Sequence, residues 1–260
     1  MADDPLARLA PIASGPETLA DLAAAERREW WLGNGRGAYA GGTAALSLTR
    51  RYHGLLIAPI DPPLGRVLVL AKADATATID GVSYPLFANR WHGGVIEPAG
   101  HRQLAEFRLD GTVPVWRFRC GAATVEHRIW LEPGADRVYL GWKLEGAAAA
   151  WLGVTFLANG RDHHGDTWQP GFNPEIAASG ATLTVTVPGR FALRIAGSGG
   201  HIEPRGGWYE NFDLPVERER GLGDRDAHRH VGDGFLQLRA GEWAGYAAGL
   251  DPAVTADLAA

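Results

Sequence analysis

The sequence predicts an all-β fold, a large antiparallel sandwich with few short helices. About fourteen runs of β-prone residues, each bounded by Gly, Pro or Asp, follow one another at fairly regular spacing. Several alternate between apolar and polar residues, as residues 182–187 (Thr-Leu-Thr-Val-Thr-Val) do, which is typical of a half-buried strand. With 35 Gly and 16 Pro among 260 residues, the composition suits many short strands joined by turns.

The first predicted element is a helix over residues 17–28. Pro16 opens it, and Leu19 and Leu22 share one face at helical spacing in an Ala-rich stretch. Strands are predicted, in order, over residues 43–48, 52–58, 66–71, 75–79, 82–87, 102–109, 113–119, 123–131, 137–144, 151–157, 182–187, 191–195, 235–238 and 243–250. An Asp-Gly pair at 80–81 predicts a β-hairpin between two of them.

Residues 203–233 interrupt the strand rhythm, because they are charged and Gly-rich and hold Trp208, Tyr209 and Phe212. We predict a long loop there, and loops of such length inside a compact domain are usually functional or disordered. Two interpretations of its aromatic stretch stay open: a lid or subsite edge of a sugar site, and a loop pinned onto the sandwich by its aromatic residues.

Composition also excludes some classes of function. The net charge of −5, with no compensating basic stripe, argues against nucleic acid as a partner. No window approaches roughly eighteen consecutive apolar residues, and the N-terminus has no signal-peptide pattern, so we expect a cytoplasmic protein without a membrane partner. The single cysteine, Cys120, lies in an apolar run and is interpreted as a buried, inert thiol.

The ten tryptophans fall into two groups. Five lie in strand runs, where core packing is the expected role: Trp116, Trp130, Trp142, Trp151 and Trp243. The other five lie in or beside Gly-rich, charged stretches, where sugar stacking and loop anchoring both stay open: Trp30, Trp31, Trp91, Trp168 and Trp208.

A stretch near the start of the chain indicates a carbohydrate ligand. Residues 29–43 combine two tryptophans with five glycines, an Asn and a Tyr, and an Arg-Arg-Tyr-His run follows at 50–53. Glycines let the backbone approach a ligand closely, while aromatic rings, Asn and Arg hold sugar rings and their hydroxyls. Because this run enters a predicted strand, alternation places Arg51 and His53 on one face. A structural Arg–carboxylate network and a site wall are both compatible with that placement.

The run Arg161-Asp162-His163-His164 follows another predicted strand. Adjacent histidines on an extended chain point to opposite faces, so only a turn would let both bind one metal ion. We expect instead a hydrogen-bonding loop in which Asp162 buttresses Arg161, with no metal and no cofactor.

Hydrolysis of a glycosidic bond needs two carboxyl groups, about 5–5.5 or 6.5–9.5 Å apart. The candidates are Asp162, Asp166, Glu210 and Glu217, and none lies in a context that marks it as the acid or the base. We therefore predict no catalytic residue, and the residues by themselves indicate a carbohydrate-handling sandwich.

Several motifs together resemble one family. The first part reads Glu-Trp-Trp at 29–31, Asn-Gly at 34–35, Gly-Ala-Tyr-Ala at 37–40 and Thr-Arg-Arg-Tyr-His-Gly-Leu-Leu at 49–56. Further motifs follow in the family's order at 62–66, 161–163, 207–212 and 219–221. On these residues, from about 29 to about 240, the chain resembles the bacterial and archaeal type glycogen debranching enzymes.

The resemblance implies a two-part protein. Its N-terminal part would be a β-supersandwich like that of galactose mutarotase and other aldose epimerases. Its C-terminal part would be an (α/α)6 barrel whose carboxylates hydrolyse α-1,6-linked glucose at branch points. For this chain it implies an extension with a short helix at 1–28, the supersandwich at 29–250 and a tail at 251–260 leading to the barrel. The implied partners are an α-glucan, such as glycogen or a maltooligosaccharide, and that barrel.

The resemblance also implies which residues bind substrate. Trp208 and Tyr209 would stack on or cover glucose. Asn34, Arg51 and His53 would build the site wall or the contact with the barrel. The full expected set is Asn34, Tyr39, Arg51, His53, Arg161, Asp162, Trp208, Tyr209, Glu210 and Asn211.

The chain departs from the family pattern in two places. Trp31 and Arg36 replace the usual Leu and an aliphatic residue. Arg-Asp-Ala at 225–227 stands where the family tends to have Glu-Asp-Leu, which weakens any role for Asp226.

Three functions follow from these observations. The favoured one is a non-catalytic domain of a debranching glycoside hydrolase that contacts glucan and docks against the barrel. Another is an autonomous enzyme, an aldose-epimerase-like sandwich that uses a His and a Glu as acid and base. The last is a purely structural interaction module with an exposed apolar face.

Overall fold

The computed structural model describes residues 12–61, 65–167 and 171–258. Its strands are β1 (Ala13–Ser14), β2 (Glu29–Gly33), β3 (Tyr39–Thr43), β4 (Gly54–Asp61), β5 (Gly65–Ile79), β6 (Val82–Pro85), β7 (Ala88–Arg90), β8 (Ile96–Ala99), β9 (Leu104–Asp110), β10 (Val113–Cys120), β11 (Ala123–Leu131), β12 (Arg137–Glu145), β13 (Ala149–Ala158), β14 (Glu175–Ser179), β15 (Thr182–Val187), β16 (Phe191–Gly197), β17 (His201–Pro204), β18 (Trp208–Asp213), β19 (Arg225–Arg239) and β20 (Trp243–Gly249). The helices are α1 (Pro16–Leu19), α2 (Leu22–Glu26) and α3 (Pro215–Glu219), with a 3₁₀ turn at Gly100–Gln103. Within the described ranges, no helix is long and apolar enough to cross a membrane.

Two large antiparallel sheets stack face to face. Sheet A has the strand order β1-β9-β10-β11-β12-β20-β16-β15-β14. Sheet B has the order β17-β19-β13-β5-β4-β3-β2, with β18 added to β19 and β6 to β5. In the core between them, the Trp30 ring lies edge-on to Trp116, and the Phe156 ring lies edge-on to Tyr246. The predicted all-β antiparallel sandwich with few short helices is confirmed.

The hairpin predicted at the Asp-Gly pair is also confirmed. Ile79 at the end of β5 pairs with Val82 at the start of β6. Between them, Asp80 and Gly81 have φ angles of 50° and 79°, the left-handed conformation that a tight two-residue hairpin turn requires.

The strand predicted over residues 43–48 is wrong. β3 ends at Thr43, and the chain turns with Leu46 in the left-handed region at φ 56°. The residues between are apolar because this turn covers the core: Ala44 is fully buried, and its carbonyl accepts the indole N–H of Trp116 at 2.8 Å. This buried turn therefore has the apolar composition that is typical of a strand.

The long loop predicted over residues 203–233 is wrong as well. The segment contains β18 and α3, and β19 begins within it. β18 pairs with β19 along one edge and makes an isolated bridge on the other, between Phe212 and Trp91. Its register with β19 shifts between Tyr209 and Phe212, where Asn211 has a φ of 64°. Because this strand is irregular and has no continuous ladder along its second edge, it lacks the apolar alternation on which strand prediction depends.

The single helix predicted over residues 17–28 is two short helices. Asp21 separates them, and its carboxylate accepts the N–H of Ala24 at 2.7 Å as the N-cap of α2. Asp21 has an extended backbone, with φ −88° and ψ 117°, which separates α1 from α2, so the apolar positions do not form one continuous helical stripe.

Replacing Asp21 by Ala is expected to lower the free energy of unfolding by about 1 kcal/mol, because an N–H at the start of α2 loses its acceptor. Urea denaturation measures the loss. Asp21→Asn keeps an acceptor and is the matched control. If the Asn variant were as unstable as the Ala variant, the capping role would be refuted.

Tryptophan burial follows strand alternation. Trp116 and Trp142 are buried in the core, as predicted. The core prediction for Trp151 is wrong: its side chain is 62% exposed, because on β13 the even-numbered residues face the core. Trp30, from the Gly-rich stretch, is instead buried. Two further tryptophans predicted for the core are only partly buried: Trp130 and Trp243.

Cys120 is buried, as predicted, and burial raises the pKa of its thiol to about 12. Trp168 and residues 62–64, which belong to one of the motifs shared with the family, lie outside the described residues.

Candidate functional site

Four aromatic side chains line an open depression of about 470 Å³ beside β2 and β3. Trp31 comes from β2, Tyr39 from β3, Tyr52 from the turn before β4 and His163 from the turn after β13; we call these four residues the aromatic shelf. Trp31 is 45% exposed, and its ring is tilted against those of Tyr39 and His53. An open aromatic surface of this kind suits one face of a sugar ring.

Tyr52 reaches the shelf because the chain turns just before β4. The N–H of His53 donates to the carbonyl of Arg50 at 3.2 Å, and the N–H of Thr49 donates to His53 Nδ1 at 3.2 Å. The predicted strand alternation of Arg51 and His53 is therefore wrong. His53 is buried, while Arg51 and Tyr52 are partly exposed.

Two hydrogen bonds hold the rings of the shelf. Tyr39 Oη lies 2.9 Å from His163 Nδ1, and Tyr52 Oη lies 2.9 Å from His164 Nδ1. Burial raises the pKa of Tyr39, and burial together with the charge of His164 lowers the pKa of His163. Both groups are consequently neutral near pH 7, so the shelf has no charge of its own with which to select an ion.

A buried ion pair supports the turn after β13. Arg161 Nε and Nη2 donate to Asp226 Oδ2 at 3.0 and 2.8 Å, and their side chains are 6% and 1% exposed. Arg161 Nη2 also donates to the carbonyl of Arg51 at 2.8 Å, which connects this turn to the one before β4. The expectation that Asp162 buttresses Arg161 is wrong: Asp162 offers Arg161 only its carbonyl, and its carboxylate accepts the N–H of His164 at 2.8 Å.

Asn159 completes the buried network. Its amide group donates to the carbonyl of Ala227 at 3.0 Å and to His228 Nδ1 at 2.9 Å, and its oxygen accepts the Thr167 hydroxyl at 2.8 Å. Because His228 Nδ1 is an acceptor, the ring proton is on Nε2, 3.8 Å from Asp226 Oδ2. Burial lowers the pKa of His228 to about 4, so this ring is neutral.

Arg51 connects three segments. Its guanidinium donates to the carbonyls of His164 and Gly223 at 2.9 and 3.1 Å and lies 3.4 Å from the Asp166 carboxylate. Its backbone N–H donates at 3.0 Å to Glu217, which is fully buried. These contacts with the protein make Arg51 a positioning residue beside the shelf.

His53 and Glu29 support the shelf from the side of Trp31. His53 Nε2 lies 3.4 Å from Glu29 Oε1, and the same oxygen accepts from Arg50. Burial raises the pKa of Glu29, but the hydrogen bonds from His53 and Arg50 outweigh it and lower this pKa to about 2. Burial lowers the pKa of His53. Glu29 is therefore an ionised partner for its neighbours rather than a proton donor.

Asn34 lies in the turn between β2 and β3 and is buried. Its oxygen accepts the N–H groups of Arg36 and Ala38 at 2.8 and 3.1 Å. Its amide group donates to the carbonyl of Ala135 and to Asp136 at 3.0 and 2.9 Å. These bonds join the hairpin to the turn before β12; a contact with substrate stays a prediction.

The four residues predicted at 208–211 lie on β18, which β19, β13, β5 and β4 separate from β3 in the order of sheet B. The Arg229 guanidinium lies over the Trp208 ring at 5.6 Å. Tyr209 contacts the ring of Trp91 and stands edge-on to His230. The other two residues, Glu210 and Asn211, are exposed. Contacts around the shelf instead bring together five of the predicted residues: Tyr39, Arg51, His53, Arg161 and Asp162.

Two groups of side chains in the described ranges could hold a metal ion. Asp162, His163 and His164 have potential ligand atoms within 4.8 Å of one another. They lie in a turn, the arrangement in which adjacent histidines can share one ion. The second group is His92, Asp213 and Asp224. The expectation of no metal stays a prediction.

The chain is similar to several known proteins. A family model described as glycogen debranching enzyme N terminal matches residues 28–244. Comparison with curated protein sequences finds no match. Similar solved structures include a bacterial glucoamylase complexed with acarbose, at 10% identity and a TM-score of 0.47 over 87% of this chain and 32% of that one. They also include a GalM/aldose epimerase homologue from C. elegans, at 10% identity and a TM-score of 0.44 over 85% of this chain and 97% of that one. The chain spans about a third of the length of the glucoamylase.

Proposed function

The chain belongs to the family of glycogen debranching enzyme N-terminal domains, and from that membership we propose that it contacts the α-glucan substrate of a glycoside hydrolase acting on α-1,6 branch points. The aromatic shelf is the observation that carries the proposal. It offers the exposed ring of Trp31 and the hydroxyls of Tyr39 and Tyr52, both oriented by histidines. Neutral aromatic and hydroxyl groups match the apolar face and the hydroxyl rim of a glucose unit.

We also propose that this domain is non-catalytic. Hydrolysis needs two carboxyl groups that flank the scissile bond. Beside the shelf, Glu29 is bonded to His53 and Arg50, and Asp226 is bonded to Arg161. Two further carboxylates are engaged in the same way, Asp166 with Arg51 and Glu217 with Arg220. In this proposal the catalytic pair comes from an (α/α)6 barrel that docks beside the shelf.

Isothermal titration of this chain with maltooligosaccharides and a branched limit dextrin tests the glucan contact. We expect saturable binding with a dissociation constant on the order of 1 mM, as suits a single open stacking surface. Trp31→Ala should abolish this binding, whereas Trp31→Phe, which keeps a ring, should retain most of it.

Trp208→Ala is the matched comparison, because it removes the stacking residue that the family resemblance predicts on β18. A loss confined to Trp208→Ala would assign the contact to β18 and not to the shelf. Wild-type chain that shows no saturable binding at millimolar glucan would contradict the proposal.

A further inference from the structure

Trp151 is 62% exposed although it lies within sheet B. β13, which carries it, pairs with β5 on one side and with β19 on the other. Ladders on both sides fix the backbone that carries the indole, while the indole surface is open to solvent. A large exposed aromatic side chain on a rigid strand is a pre-organised contact surface.

The neighbours of Trp151 extend this surface. Across β13 and β19, Trp151 lies opposite Gln237, and Gly153 lies opposite Phe235, so all four occupy the outer face. A Cβ atom added at Gly153 would meet nothing within 4 Å, which leaves an open floor between the two aromatic residues. Phe235 stacks on His201 of β17, with ring centroids 5.1 Å apart and planes at 24°.

The loop between β16 and β17 borders the floor. At Gly200, φ is 72°, and an added Cβ would lie 1.8 Å from the carbonyl oxygen of Phe235, so only glycine lets the loop lie directly on β19. Ser198 fixes the other end of the loop to β20, through two hydrogen bonds of 2.9 and 3.0 Å with the backbone of Gly245. The result is a groove of about 660 Å³ that includes Trp151, His201, Phe235 and Trp243; we call it the Trp151 groove.

The lining of the Trp151 groove fits a neutral, polyhydroxylated chain. Trp151 and Phe235 give the groove aromatic surface for the C–H groups of sugars, and Gln237 gives it an amide for their hydroxyls. The polar residues Gln237 and Thr78 flank Trp151 on its two cross-strand sides, so the surface is not the contiguous apolar patch of a protein interface. Its two charged residues have opposite signs: Arg239 and Glu242.

We propose that the Trp151 groove is a second carbohydrate site, which binds a run of glucose units in an α-glucan. The ligand class rests on the proposed function, but the residues are separate from the aromatic shelf, which lies beside β2 and β3. Two sites on one domain can bind one branched polymer at two points, so polymeric glucan is bound more tightly than short oligosaccharides.

Affinity electrophoresis of the native chain in gels with and without glycogen tests the groove. The wild-type chain is expected to be retarded by glycogen. In Trp151→Ala, the glycogen concentration that gives half-maximal retardation should rise about tenfold, whereas Trp151→Phe should retain part of the effect. Retardation of Trp31→Ala measures the contribution of the aromatic shelf separately from that of the groove. Val95→Ala removes an apolar side chain that is 58% exposed outside both sites, and should behave as wild type.

Equal retardation of wild type and Trp151→Ala would overturn the second site. If Trp31→Ala abolished retardation at the same time, the proposed function would still stand. Sedimentation velocity tests whether the groove binds a second copy of the chain instead of glucan. If Trp151→Ala converted a dimer into a monomer without changing retardation, the groove would be a dimer interface and not a glucan site. Urea midpoints equal to that of wild type show that each variant is folded.

Discussion

Replacing Asp226 by Ala is expected to lower the free energy of unfolding by about 3–5 kcal/mol, because the change leaves the buried Arg161 guanidinium without its counter-charge. Asp226 also accepts the N–H groups of Thr167 and Ala227 at 2.9 and 3.0 Å, and both donors would lose their acceptor. Since Arg161 joins the turn that carries His163 to the turn before β4, the shelf should loosen with it.

Urea denaturation of wild type and variant measures this loss. Glu145→Ala is the matched control, since it breaks an ion pair with Arg117 in which the two side chains are 38% and 33% exposed. Exposed pairs contribute about 0–1 kcal/mol, so this variant should be nearly as stable as wild type. If both variants lost a similar free energy of unfolding, burial of the Arg161–Asp226 pair would not make its loss more costly than that of an exposed pair.

Lowering the pH from 7 to 4 is expected to reduce the free energy of unfolding by about 4–6 kcal/mol. Burial lowers the pKa of both His127 and His228 from 6.5 to about 4. The His127 ring is stacked between Trp116 and Trp142, and its Nδ1–H donates to the carbonyl of Gly141 at 2.9 Å. In the unfolded chain both imidazoles bind protons near pH 6.5, so the unfolded state takes up more protons between pH 6.5 and 4. Stability is therefore complete above pH 6.5 and decreases as the pH falls to 4.

Urea unfolding at intervals between pH 7 and pH 4 measures this dependence. His228→Asn removes one of these two groups and should reduce the slope of stability against pH. Burial also lowers the pKa values of His53, His101 and His163, which add to the slope that remains. The carboxyl groups of Glu29 and Asp233, whose pKa values are about 2, contribute mainly below this window. A stability that stays constant from pH 7 to 4 would mean that the two rings are not held neutral by burial.

Alternation predicts the sandwich well where a strand has one face in the core and a neighbour on each side. The run at 182–187 is such a case: it is strand β15, paired with β14 and β16. Prediction fails where burial has another cause. Ala44 is apolar because it lies in a buried turn that covers Trp116. β18 lacks alternation because its register with β19 shifts and its second edge has only an isolated bridge. The core prediction for Trp151 is wrong for a third reason: a residue's type alone does not show which face of a strand its side chain occupies.

The candidate site was only partly predictable. The family motifs indicate Tyr39, Arg51 and Arg161, which the structure brings together around the shelf. The sequence does not predict the role of Asp226, because this residue is 65 positions from Arg161 in the chain and no local pattern indicates that the two pair. Tyr52 is absent from the expected site residues, and it lies in a turn although the predicted strand over 52–58 includes it. Long-range partners and turn geometry are set by packing, which single-sequence patterns do not contain.

Cys120 has a practical consequence. It is the only cysteine among 260 residues, its side chain is 1% exposed, and its pKa of about 12 leaves almost no thiolate at neutral pH. An alkylating reagent can therefore modify only those molecules whose sandwich has opened. The rate of labelling measures how often the end of β10, where Cys120 lies, opens to solvent. Alkylation of Cys120 should therefore be faster in any variant whose core opens more often.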